Sequence, residues 1–152
     1  MRHVRSWVML LAIALCSTQL AASELIMMRS TQSFPEAMLT LQQAITAQGY
    51  TVSRVQRVDV GLTASGYETD RYRVVFFGKA EEVDAVIRDH PQMIPYLPWK
   101  IVIFAEDEET LMVTYDPQSF AAFFPDEDLA GIFASWRSDI HGIFERVRES
   151  EQ

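Results

Sequence analysis

The sequence predicts an α+β domain: a two-layer sandwich in which an antiparallel or mixed sheet carries helices on one face, closed by a long C-terminal helix. Three observations predict it. Short β-branched runs alternate with stretches whose apolar residues recur at helical spacing. Two of those runs, Trp99 to Ala105 and Thr110 to Tyr115, flank Glu106-Asp107-Glu108-Glu109 and read as a hairpin with a four- or five-residue acidic loop. Finally, Leu129, Ile132, Phe133, Trp136, Ile140, Ile143, Phe144 and Val147 form one apolar stripe that a helix must bury.

Taken in order, Leu25 to Arg29 is a short apolar run suited to a first strand. Ser33 with Glu36 is a capping-box pattern, and Pro35 sits in the first turn, where its missing N–H costs nothing. The helix that begins there places Phe34, Met38, Leu41 and Ile45 on one face, and Gly49 ends it. Tyr50 to Val58 reads as a second strand, and Asp59 to Thr69 as a short helix and loop. Tyr72 to Phe77 is apolar on both faces at its end, which predicts a strand covered on both sides or lying at a subunit interface.

Gly78 stops that strand. Val83, Val86 and Ile87 then mark an amphipathic helix ending before Pro91, and Pro91, Pro95 and Pro98 stiffen the next connection. Asp116-Pro117 is a cap followed by proline, opening a short helix with Phe120, Phe123 and Phe124 on its apolar side. In the last helix, Asp126 and Glu127 stand at the positive end of the dipole and Arg146 and Arg148 at the negative end.

The N-terminus predicts export. Arg2 and Arg5 precede the apolar run Trp7 to Cys16, and Ala21-Ala22-Ser23 offers small residues to a signal peptidase. That run is about ten residues, short of the roughly twenty that cross a bilayer, so no transmembrane segment is expected. Residues 1–23 therefore read as a cleaved signal peptide and 24–152 as one domain, secreted across the inner membrane to a bacterial periplasm. Cys16 is the single cysteine, and the bulky Leu15 before it argues against lipoprotein processing. The absence of asparagine leaves no N-glycosylation site.

Charge narrows the partners. Of 13 basic and 21 acidic residues, Arg2 and Arg5 leave with the leader, so the mature chain carries a net charge of −10. Such a surface repels phosphate backbones, and nucleic-acid binding is not expected. His3, His90 and His141 are too dispersed for a metal centre, and the acidic hairpin tip lacks EF-hand spacing; no metal and no cofactor are predicted. No Gly-x-Ser-x-Gly elbow is present.

The stretch Leu97-Pro98-Trp99-Lys100-Ile101-Val102-Ile103-Phe104, the Glu106-Asp107 turn and Val113-Thr114-Tyr115-Asp116-Pro117 resemble the end of the domain-of-unknown-function family 302. Ser33-Phe34, Gly49-Tyr50 and Phe76-Phe77-Gly78 are similar to its earlier landmarks, so the resemblance covers roughly 33–124. It implies a compact α+β domain, often a homodimer, with no established activity. The chain departs from the family where Lys79-Ala80 follows Gly78 in place of Asn-Pro, and where an acidic helix replaces the usual Gly-Thr-Pro.

Two function classes follow. The first is a small binding or accessory protein, homodimeric, taking an apolar or anionic ligand near Phe77, Gly78 and Lys79 and near Tyr115 and Asp116. A glycine and lysine at a strand end could cradle an anion with backbone N–H groups. The second is a small carboxylate-dependent enzyme using Asp116 with Lys100, which requires the two side chains to converge. The aromatics Phe76, Phe77, Tyr96, Trp99, Phe104 and Tyr115 leave three uses open: ordinary core, a dimer interface, or an apolar pocket between the sheet and the long helix.

Overall fold

The computed structural model describes residues 25–151; the expected leader, with His3 and Cys16, lies outside the described residues. The elements are β1 (Leu25–Ser30), α1 (Phe34–Ala47), β2 (Thr51–Arg57), α2 (Val58–Ala64), β3 (Tyr72–Gly78), α3 (Ala80–Asp89), a first 3-10 helix (Pro91–Tyr96), β4 (Trp99–Glu106), β5 (Glu109–Tyr115), a second 3-10 helix (Pro117–Ala122) and α4 (Glu127–Glu149). The strands form one sheet in the order β1-β5-β4-β3-β2, and every neighbouring pair is antiparallel. The fold is thus the expected α+β sandwich, with the antiparallel form of the sheet. Since β1 and β2 are opposite edges, α1 carries the chain across the whole sheet.

Local signals work as their chemistry dictates. The Ser33 N–H donates to the Glu36 carboxylate at 3.2 Å, closing the first turn of α1. Gly49, at φ +84°, ends that helix in the left-handed region open to glycine. The Asp126 carboxylate accepts from the Asp128 and Leu129 N–H groups at the start of α4. The connection after α3 is a 3-10 helix followed by a cis Leu97-Pro98 bond. The hairpin departs from expectation: β4 and β5 extend through Glu106 and Glu109, leaving a two-residue turn, Asp107-Glu108, in place of a four- or five-residue loop. Asp107 turns at φ +52°, which its short polar side chain tolerates.

The core lies between the sheet and the two longer helices. Leu41 and Ile45 from α1, Val75 and Phe77 from β3, Ile101 and Ile103 from β4, Met112 from β5, and Phe133, Trp136 and Ile140 from α4 are each no more than 1% exposed. Each such burial stabilises by about 1.5–3 kcal/mol. Asp59 ties α2 to β3 by an ion pair with Arg73, and that guanidinium holds the Asp59 carboxyl below its ordinary range.

Alternation along the strands sends the intervening residues to the other face: Leu25 and Met27 on β1, Leu111, Val113 and Tyr115 on β5, Val102 and Phe104 on β4, Tyr72, Val74 and Phe76 on β3. Antiparallel sheets that meet water on one side are normally polar there. This one is not. Met27 is 55% and Tyr115 51% exposed, whereas Val74 and Leu111 are buried without joining the core cluster. The two-sided apolarity of β3 therefore reflects core on one face and this outer patch on the other.

Candidate functional site

The described residues contain a cavity of about 410 Å³ at the end of the sheet where β3 and β5 finish and β4 begins. Pro95 and Tyr96 of the first 3-10 helix form one wall, and Ser119 and Phe120 of the second form another, with Phe123 beyond it. Trp99, Lys100, Thr114 and Tyr115 line the sheet side. Packed rings build the apolar lining: Tyr96 lies edge-to-face 4.9 Å from Phe120 and 5.7 Å from Phe124, and Trp99 is tilted against Phe120 at 5.8 Å. Phe123 remains 76% exposed at the lip. Two of the polar groups are engaged, since the Thr114 hydroxyl donates to the Lys100 carbonyl at 2.7 Å and the Ser119 hydroxyl to the Asp116 carbonyl at 2.7 Å, whereas the buried Trp99 indole N–H has no acceptor among the described residues.

Asp116 is 5% exposed and structural in its contacts. Its carboxylate accepts from the Gln118 N–H at 2.9 Å, capping the second 3-10 helix, and pairs at 3.1 Å with Arg137 of α4. Arg137 also donates to the Gln118 side chain at 2.7 Å. Lys100 is directed elsewhere: it is exposed on the outer face, with its ammonium 5.9 Å from the Tyr115 ring centre. The carboxylate thus faces α4 on the core side of the sheet, while the amine lies on the opposite side. They do not converge.

The other expected cluster is consumed by packing. Phe77 is 1% exposed, opposite Trp99 in the ladder and edge-on to Tyr50 at 5.3 Å. A side chain on Gly78 would meet Val83 at 3.1 Å, so glycine lets α3 turn back tightly at that point. The Lys79 ammonium lies over the Tyr50 ring at 4.2 Å and binds Asp139 of α4 at 3.1 Å. Asp139 also accepts from the Tyr50 hydroxyl at 2.7 Å and from Gln48 at 3.1 Å. Burial pushes the Asp139 carboxyl up, but these donors outweigh it and hold the group below its ordinary range. Burial, then the bond to Asp139, pushes the Tyr50 phenol well up.

Of the residues expected to form a site, then, Tyr115 and Lys100 border the cavity, whereas Phe77, Gly78, Lys79 and Asp116 serve the scaffold. The aromatics fall in three places: Phe77 and Trp99 are buried in the core, Phe76 and Phe104 lie on the outer face, and Tyr96 and Tyr115 line the cavity, as does one side of Trp99. The space between the sheet and α4 is filled by Trp136 and Phe133, so the cavity lies at the end of the sheet and not beneath the long helix. Phe120 and Phe123 read only as helix packing in the sequence; the apolar side they mark is what closes the cavity. Among the described residues no group of three His, Cys, Asp or Glu side chains could hold a metal ion, and no helix is long and apolar enough to cross a membrane. His90 sits at the end of α3 with Nδ1 3.8 Å from the Asp126 carboxylate, and His141 is exposed on α4.

The family model for the domain of unknown function DUF302 matches residues 26–147. The chain belongs to that family. A crystal structure of an uncharacterised conserved DUF302 protein from Bacillus stearothermophilus superposes with a TM-score of 0.76 at 17% identity, covering 83% of this chain and 99% of that one. At that identity the likeness carries the DUF302 fold and nothing about activity. No curated protein matches the chain. The DUF302 landmarks in the sequence are mainly structural in this member: Phe77-Gly78 packs, Asp116-Pro117 caps, and only Trp99, Lys100, Thr114 and Tyr115 reach the cavity.

Proposed function

We propose that this DUF302 protein is an exported, periplasmic, homodimeric binding or accessory protein that takes a small apolar ligand in the cavity lined by Tyr96, Trp99, Tyr115, Phe120 and Phe123. The observation that carries the reading is the cavity itself, which is aromatic on most sides and within the size range of small-molecule sites. Binding of an apolar molecule needs no more than that. The anionic alternative leaned on Lys79, whose ammonium is engaged by Asp139. The carboxylate-enzyme reading leaned on Lys100 and Asp116, which face opposite sides of the sheet, and an acid–base site needs convergent groups.

Native mass spectrometry of the protein from a periplasmic extract tests each part. The expected result is a dimer whose chain begins near Glu24, with a small molecule retained on each subunit. Phe123→Ala, at an exposed lip residue that contributes little to folding, is expected to lower that retained fraction several-fold. A dimer at the bare polypeptide mass would remove the tight-ligand part of the reading. A chain still carrying residues 1–23 in the extract would remove the export part.

A further inference from the structure

We infer that two copies of this chain pack outer sheet face to outer sheet face, about a two-fold axis running across the strands through the row Met27, Val113, Val102 and Val74. The inference rests on the homodimer reading above and specifies its surface and orientation. The first observation is the face itself. Val102 pairs with Val113 on one side and Val74 on the other, and Val113 pairs with Met27, so one apolar row spans four strands. The rows on either side add Tyr115 and Phe76 at one end and Leu111, Phe104 and Tyr72 at the other. Burying such a face against its own copy removes both apolar surfaces from water at once.

Charge selects the occupant and the orientation. At the Tyr115 end stand two cations, Lys100 on β4 and Arg54 opposite Phe76 on β2. At the far end of β4 and β5 stand two carboxylates, Glu106 and Glu109, sharing the single cation Arg29. The face is therefore positive at one end and negative at the other. A two-fold axis along the strands would set Lys100 against its own copy and the carboxylates against theirs. An axis across the strands sets the Lys100 end against the Glu106–Glu109 end twice, which is the complementary arrangement.

The same operation brings the cavity-bordering Lys100 and Tyr115 of one copy against the Tyr72–Phe104 end of the other. The partner thereby covers the Lys100 and Tyr115 side of the ligand cavity, and assembly and ligand retention become linked.

Cross-linking tests the arrangement. Stacked sheets lie about 10 Å apart, so a residue on the axis faces its own copy within reach of a short bis-maleimide. Val102→Cys, made with Cys16→Ser so that the new thiol is alone, is expected to give a covalent dimer in high yield. Leu39→Cys, 58% exposed on α1, is expected to remain monomeric under the same treatment. Sedimentation of the untreated protein gives the subunit count. A solution dimer that Val102→Cys fails to cross-link would overturn this face while leaving the homodimer reading intact. A monomer would overturn both, and a monomer whose Val102→Cys thiol resists a monofunctional maleimide would assign the face to residues 1–24 of the same chain.

Discussion

Replacing Trp136 with alanine is expected to lower the unfolding free energy by about 3–5 kcal/mol, the range for deleting a buried indole. Trp136 is 1% exposed at the centre of the layer between the sheet and α4, edge-on to Trp99 at 5.0 Å and tilted against Phe133 at 6.1 Å. Its loss opens a void that the neighbouring Trp99 and Phe133 rings cannot close, since each is held by further contacts with Phe120. The indole N–H of Trp136 has no acceptor among the described residues, so hydrogen bonding contributes nothing to the loss. Trp136→Phe removes that buried donor and keeps most of the ring volume; it is expected to cost less than half as much. Urea unfolding of the three proteins checks both values, and equal losses in the two variants would refute the packing account.

Asp139→Ala is expected to cost roughly 2 kcal/mol, because it strips the acceptor from the buried Tyr50 hydroxyl. Lys79 is more than a third exposed, so its ion pair adds little after solvent screening. The pH dependence has a definite sign. The folded Asp139 carboxyl lies below its ordinary range, so the ionised form is the one the fold favours. The contribution is complete above the unfolded value of about 3.9 and is lost as pH falls through the folded value. The stability gap between the parent and Asp139→Ala should therefore be constant from neutral pH down to about 5 and shrink in stronger acid. A gap that widened on acidification would contradict the network described.

How much of the site was legible follows from the kind of signal each residue carries. Asp116 before Pro117 announces a helix cap because capping is local: the acceptor, the N–H and the proline lie within three residues. The fate of its remaining oxygen depends on Arg137, which is distant in sequence and arrives only when α4 docks. Lys79 after Gly78 has the form of an anion cradle, but Asp139 takes its charge, and nothing near Lys79 in the chain announces that partner. Phe120 and Phe123 have helical spacing, which cannot distinguish a side chain that fills a core from one that walls a cavity.

The hairpin shows the same division. Its existence was visible in two β-rich runs, yet the strands continue two acidic residues further than composition implies. The ladder pairs Glu106 with Glu109, and Arg29 from the neighbouring edge strand binds both. An intervening cation offsets the repulsion of facing carboxylates.

By itself the sequence determined the α+β class, the order of elements, the caps and glycine stops, and the face that each longer helix buries, because those depend on periodicity and on contacts within a few residues. The tertiary structure alone decided the strand order that makes β1 and β2 opposite edges, the divergence of Lys100 from Asp116, the place of the cavity, and the gathering of ten apolar side chains on the outer face. Those depend on which strands become neighbours, and strand pairing joins residues whose separation along the chain bears no relation to their separation in space.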